Sequence, residues 1–227
     1  MTLLELLSGT GSMGKAFREL DWKVVSLDVL PLFHPTICEN ILTWDYTAFP
    51  PDYFDCVHMS PPCEQYSTAR TTAKTPRNLD LADSLVLRCR TILDYFKPRV
   101  WIMENPATSM LSGRDFMRDL VEYRRVVSYC KYGALFRKDT AIWSNLGHLW
   151  QPLPPCRKAT PCTHMVGNRH TLTAQRGPGK QDGVRRAQDN CSVHVLHAIP
   201  SHLCFELALA ATYAICISPR DRGWGDA

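Results

Sequence analysis

Two short runs concentrate the residue types that can carry covalent chemistry. Ser60-Pro61-Pro62-Cys63-Glu64-Gln65-Tyr66-Ser67 places a thiol directly after two prolines. The prolines stiffen the backbone and hold the cysteine in one presentation, and a thiolate held there is a strong nucleophile. Cys56, Cys89, Cys130, Cys204 and Cys216 lie in apolar runs and read as buried structural cysteines, whereas the surroundings of Cys63 are polar and turn-rich. The second run, Trp101-Ile102-Met103-Glu104-Asn105-Pro106, brings a carboxyl and an amide out of an apolar stretch. Partial burial of Glu104 would favour its neutral form and equip it to donate a proton.

A third run reads as a ligand cradle. Gly9, Gly11 and Gly14 form G-x-G-x-x-G between a candidate strand and a candidate helix, and Asp28 closes the next apolar run. Glycines permit a tight turn and close approach of a ligand to the backbone, and the acid can bind ribose hydroxyls. The pattern implies an adenosine-type cofactor; a nicotinamide dinucleotide and S-adenosylmethionine both satisfy it. Asp45, after Trp44, could accept from an adenine amino group.

Elements that would position these runs follow from periodicity. Strands are expected over 3–7, 24–29, 54–59, 100–103, 125–130 and 140–143, with helices over 15–20 and 79–96. In the second helix Leu85, Cys89, Ile92, Leu93 and Phe96 share a face, and Pro98 stops it. Strand–helix alternation at this spacing predicts an α/β fold with a parallel sheet covered on both faces. Ligands of such sheets bind at the carboxyl ends of the strands, which is where the glycines, Asp28, Cys63 and Glu104 fall. Residues 1–150 are read as a catalytic core and 191–227 as an apolar helix returning to it.

The chain has 227 residues, 45% of them hydrophobic and 21% charged. That composition excludes a mainly disordered protein. No apolar run reaches the ~18–20 residues of a bilayer span, and the first residues show no basic region or small-residue cleavage site. With ten cysteines spread along the chain, a reducing, intracellular setting is expected, with neither secretion nor a membrane partner.

Between residues 151 and 190 apolar periodicity disappears. Arg157, Lys158, Arg169, Arg176, Lys180, Arg185 and Arg186 face only Asp182 and Asp189 there, while the net charge of the whole chain is +4. A polyanionic partner suits that concentration of charge. A structureless stretch of this length is unusual inside a compact domain, so a function or a local staple is expected. Cys156, Cys162, His164 and His170 supply four candidate zinc ligands, with Cys191, His194 and His197 as competitors.

Together these residues resemble the cytosine-5 DNA methyltransferase family, especially its short phage- and virus-type members. Leu6-Leu7-Ser8-Gly9-Thr10-Gly11 resembles the family's cofactor loop, Pro61-Pro62-Cys63 its nucleophile loop, and Glu104-Asn105-Pro106 its acid motif. Tyr132-Gly133, Arg137-Lys138 and Ile142-Trp143-Ser144-Asn145 are similar to its late basic motif, and Ala198-Ile199-Pro200 with Leu203 to its closing helix. The likeness covers residues 3–145 and about 190–215. In Arg137-Lys138-Asp139-Thr140 a threonine stands near the second arginine position that many members carry.

The resemblance implies a Rossmann-like S-adenosylmethionine-dependent methyltransferase fold with a small basic recognition insert over 151–190. It implies a monomeric enzyme acting on duplex DNA. Cys63 would attack C6 of a flipped-out cytosine while Glu104 engages N3. Asn105 would hold the nucleophile loop or the exocyclic amine, and Arg137 would assist catalysis. Ser8, Gly9, Thr10, Gly11, Asp28, Val29, Asp45, Tyr46 and Pro61 would bind S-adenosylmethionine. Arg70, Lys74 and Arg77, following the nucleophile, are expected to contact phosphate. The alternatives are a tRNA methyltransferase of the same chemistry, a catalytically silent nucleic-acid-binding homologue and a nicotinamide oxidoreductase; the last leaves Pro61-Pro62-Cys63 and Glu104-Asn105-Pro106 unexplained.

Overall fold

The computed structural model describes residues 1–68, 70, 73–167, 169–170, 172–173, 180–181, 184–185 and 196–217. Six strands that alternate apolar residues to opposite faces, and one very short one, form a single sheet. In chain order these are β1 (Thr2–Leu6), β2 (Lys23–Asp28), β3 (Ile37–Cys38), β4 (Cys56–Met59), β5 (Val100–Pro106), β6 (Arg124–Ser128) and, after the two-residue β7 (Phe136–Arg137), β8 (Asp139–Ser144). Their spatial order is β3-β2-β1-β4-β5-β8-β6.

The expectation of an all-parallel sheet needs one correction. β8 runs antiparallel to both β5 and β6, with Pro106 opposite Thr140 and Ser128 opposite Asp139. Only about ten residues separate Ser128 from Asp139, too few for the dozen or more that a parallel crossover requires. Chain therefore enters β8 at the edge where β5 and β6 finish. Similarly, the strand expected over 125–130 ends at Ser128, and a 3-10 turn over Tyr129–Tyr132 follows, closed by Gly133 at φ 94°.

Period-two alternation sorts the core into two layers. Leu3, Ile102, Val127 and Ile142 pack with Met13, Phe17, Leu203, Leu207 and Ala211. Leu4, Leu6, Val57, Met59, Trp101, Met103 and Trp143 pack with Val86, Cys89, Ile92 and Phe96. The first layer lies under α1 (Ser12–Arg18) and α3 (Ser201–Ile217), the second under α2 (Leu79–Phe96). α2 keeps the bounds expected from sequence. Asn78 caps it by accepting from the Leu81 amide at 3.0 Å, and Lys97 in the left-handed region ends it before Pro98. α1 and α3 are joined by Trp22, whose indole N–H donates to Thr212 Oγ1 at 3.0 Å.

The third glycine of the loop has a packing role. A Cβ on Gly14 would stand 2.3 Å from Glu5 Oε2 and 3.0 Å from Val24 Cγ1. Glu5 is buried beside His58 on the neighbouring strand, Oε1 to Nδ1 4.0 Å. Burial pushes the Glu5 carboxyl up to about 7, an effect that the Gly14 and Met13 amides and Arg18 only partly offset, and burial pushes His58 down to about 3. Gly14→Ala is expected to destabilise the fold by about 1–3 kcal/mol, the usual scale of overpacking. Urea unfolding should show a lower midpoint at an unchanged slope.

Candidate active site

The topological switch lies between β1 and β4, since β1 pairs with β2 on one side and β4 on the other. The glycine loop and the Pro61-Pro62-Cys63 loop leave the sheet side by side there. After β1 the chain turns on Leu7, Gly9 and Gly11, all at positive φ. The turn is closed by Gly11 N–H to Ser8 O at 2.9 Å and tied to β2 by Ser8 N–H to Leu27 O at 3.1 Å. Asp28 Oδ2 accepts from the Gly9 amide at 2.8 Å and Oδ1 from the Leu30 amide at 2.9 Å. The acid therefore shapes the loop it faces. A Cβ on Gly9 or Gly11 would meet nothing within 4 Å, so the loop backbone is open to a ligand. Val29 and Leu30, next to Asp28, expose 56% and 50% of their surface, an apolar face that a base can cover. These features fit an adenosine-type cofactor.

Asp45 caps a 3-10 turn: Oδ1 accepts from the Thr47 amide at 3.0 Å and its hydroxyl at 2.5 Å, and these bonds hold its carboxyl below the usual range. Arg88 stacks 4.6 Å from the centroid of Tyr46 and donates to Ile41 O and Trp44 O, which fixes this turn against α2.

The Pro61-Pro62-Cys63 loop is held from three directions. Asn105 Nδ2 donates to Pro61 O at 2.9 Å, both residues being buried. Tyr66 N–H closes a turn onto Cys63 O at 3.1 Å. The Tyr66 ring is buried, and its hydroxyl donates to Asp83 Oδ1 at 2.8 Å, while Asp83 also pairs with Arg114. Of the two roles expected for Asn105, this geometry supports positioning of the loop. Arg70 and Arg77 fold back on Gln65: Arg70 Nη1 donates to Oε1 at 3.2 Å and Arg77 Nη1 to the carbonyl at 2.7 Å.

Glu104 lies buried at the end of β5. Ser60 Oγ donates to Oε2 at 3.0 Å and the Tyr129 hydroxyl to Oε1 at 2.8 Å. Lys138 Nζ stands 3.9 Å from Oε1, 4.8 Å from the centroid of Tyr129, and donates to Leu196 O at 3.2 Å. Cys63 is half-buried, and burial raises its thiol above the ordinary value. Lys138 draws it down, while Glu104 and Glu64 push it up. One ammonium thus acts on both Cys63 and Glu104.

Arg137, expected in the catalytic group, turns instead to Asp139, with Nε to Oδ1 at 3.0 Å and Nη2 to Oδ2 at 2.6 Å. Lys138 takes the place beside Glu104. Ser60, Tyr66 and Tyr129 are members of this site to which motif reading gave no role, and Lys138 was read only with Arg137 in the late basic motif. The available signal was their adjacency in sequence to a motif or strand end.

Of the expected zinc ligands, Cys156, Cys162 and His170 come together, but the fourth member is Cys130 and not His164. Cys191 and His194 lie outside the described residues, as do most of residues 174–195. Among the described residues no helix is long and apolar enough to cross a membrane.

No family model matches the chain. Over 205 residues it is 29% identical to the "Probable DNA (cytosine-5)-methyltransferase" of Frog virus 3 (isolate Goorha), covering 82% of this chain and 92% of that one. The fold is similar to that of the Entamoeba histolytica methyltransferase EhMeth, with a TM-score of 0.53 and 15% identity over 70% of this chain. The chain spans 57% of the length of that solved protein.

Proposed function

We propose, from the chain's kinship with the cytosine-5 DNA methyltransferases, that it transfers a methyl group from S-adenosylmethionine to C5 of cytosine in DNA. The observation that carries the reading is the convergence of Cys63, Glu104 and Lys138 at one sheet edge, beside a glycine loop open to a ligand. S-adenosylmethionine, bound over Ser8–Gly11 and Asp28–Val29, would supply an electrophilic methyl carbon. The edge of Trp44–Tyr46 and Pro61 would bound the same ligand.

Cytosine C5 is too poor a nucleophile to take that carbon unaided. Cys63, as thiolate, forms a bond to C6 and pushes the ring electrons toward C5. Glu104, protonated, donates to N3 and neutralises charge that builds on the ring. Lys138 stabilises the thiolate before attack and the Glu104 carboxylate after donation. Asn105 keeps Pro61, and hence Cys63, in register with the sheet. As C5 takes the methyl group, the broken C–S bond leaves its electrons on the donor as a neutral thioether; loss of the C5 proton to a base and return of the N3 proton to Glu104 then restore the ring and expel the Cys63 sulfur as thiolate. The target must leave the duplex to reach Cys63, at a cost of a few kcal/mol.

The test is incubation with methyl-labelled S-adenosylmethionine and, in parallel, duplex DNA or tRNA. Label in 5-methylcytosine of DNA supports the reading, label confined to tRNA moves it to RNA, and no label on either overturns it. Lys138→Met is expected to shift the acid limb of the kcat/KM profile to higher pH. The sign follows from the thiol: burial already raises it, and removing the ammonium lets it rise further. At neutral pH the rate should fall by about tenfold, one pH decade, and Lys138→Arg should restore most of it.

A further inference from the structure

We propose that Cys130, Cys156, Cys162 and His170 bind one structural zinc ion, which clasps the basic segment beyond residue 150 to the catalytic sheet. The Sγ atoms and an imidazole nitrogen lie within 4.8 Å of one another. His170 Nε2 is 3.2 Å from Cys162 Sγ and 3.6 Å from Cys156 Sγ. A tetrahedral ion with Zn–S of ~2.3 Å and Zn–N of ~2.0 Å requires S···N edges of about 3.5 Å and S···S edges of about 3.8 Å. His170 Nε2 already stands near that spacing from Cys162 and Cys156, and with no pair wider than 4.8 Å the set has at most about 1 Å to close around an ion.

The donors come from two parts of the chain. Cys130 sits in the 3-10 turn directly after β6. Cys156 is tied to the end of the same strand, its amide donating to Ser128 Oγ at 2.9 Å. Cys162 and His170 bracket a small hairpin of β9 (Met165–Val166) and β10 (Arg169–His170), turned on Gly167 at φ 61°. Immediately afterwards β11 (Leu172–Thr173) pairs with β7 next to Lys138. The cluster therefore joins the catalytic edge at one end to the first part of the basic segment at the other.

Three thiolates and one imidazole form a soft, closed donor set with no position left for water, which marks a structural site. Such a centre would carry net charge −1, and Arg137 acts by charge on Cys156, Cys130 and His170. Arg137 and Arg157 meet on Asp139, with Arg157 Nη1 3.0 Å from Oδ2, and Lys131 Nζ donates to Pro161 O at 2.8 Å. Between Cys162 and His170 only Met165 and Val166 are large and apolar, so the metal would substitute for a core.

The test reads metal, not methyl transfer, and so stands apart from the catalytic proposal. Full-length protein purified without chelators should contain one zinc per chain by atomic emission. Metal-stripped protein given cobalt alone should show the intense visible bands of tetrahedral thiolate coordination. Cys162→Ser and His170→Ala should lose the zinc, while His164→Ala should keep it. Chelation should speed tryptic cleavage at Arg157, Lys158 and Arg169 by at least about tenfold, as expected when a local unit opens. Folded, zinc-free protein with the four residues intact would overturn the proposal, as would zinc lost in His164→Ala but retained in His170→Ala.

Discussion

Cys63→Ser is expected to abolish methyl transfer, with a loss of at least about 10³-fold, the scale seen when a catalytic nucleophile is removed. The serine hydroxyl keeps the size and place of the thiol but titrates far above it, and nothing at the site could ionise it. Burial already holds the Cys63 thiol up, and among the described residues Lys138 lowers it by charge. The diagnostic measurement uses duplex DNA carrying 5-fluorocytosine, in which fluorine cannot leave as a proton does. Wild-type protein with S-adenosylmethionine should be trapped as a covalent adduct stable to denaturing electrophoresis, and Cys63→Ser should give none. An adduct in the serine variant would place the nucleophile elsewhere. Binding of S-adenosylmethionine should be unchanged in the variant, because the glycine loop and Asp28 form their bonds without Cys63.

Glu104→Gln should reduce turnover by about 10²–10⁴-fold, the usual contribution of a positioned acid. The amide keeps the shape; its oxygen can still accept from one of the Ser60 and Tyr129 hydroxyls, which now bond the two carboxyl oxygens at 3.0 and 2.8 Å, and its NH2 group donates to the other. What it lacks is a transferable proton. The fluorocytosine adduct should therefore still form, but slowly, separating this variant from Cys63→Ser. Equal adduct rates in wild-type and Glu104→Gln protein would remove Glu104 from the chemistry.

What sequence reading reached and missed follows from how local each signal is. Helix α2 was legible to the residue because its apolar face and the stop at Pro98 lie within one stretch of chain. The glycine loop and Asp28 were equally plain as loops at strand ends. Strand direction was not, because a six-residue strand looks the same from either end, and only the short connection from Ser128 to Asp139 argued against a crossover. The meeting of Tyr129 and Lys138 with Glu104 was not legible because it spans 25 and 34 positions and depends on the antiparallel entry of β8. Cys130 was assigned to the core on its apolar neighbours. The turn at Tyr129–Tyr132 breaks the strand there and redirects its sulfur toward Cys156 and Cys162.

The reversed last-but-one strand also sets a length requirement on the polypeptide. β8 starts beside Glu104 and finishes at the opposite rim, where Asn145 bonds Trp101 N–H and Arg99 O. Cys156 is back at the first rim, against Ser128. Six residues after Trp150 must climb the full height of the sheet, about 20 Å for a six-residue strand. Pro152, Pro154 and Pro155 occupy that climb, and a proline-rich extended run rises about 3.1 Å per residue, roughly 19 Å in six. Trp150, hydrogen-bonded to Glu206 at 2.6 Å, pins the foot, and the Leu153 amide on the Tyr132 hydroxyl at 2.9 Å guides the middle. At that rise six residues cover about the height of the sheet, so the stiffness of the prolines sets how far from the far rim the sulfur cluster stands.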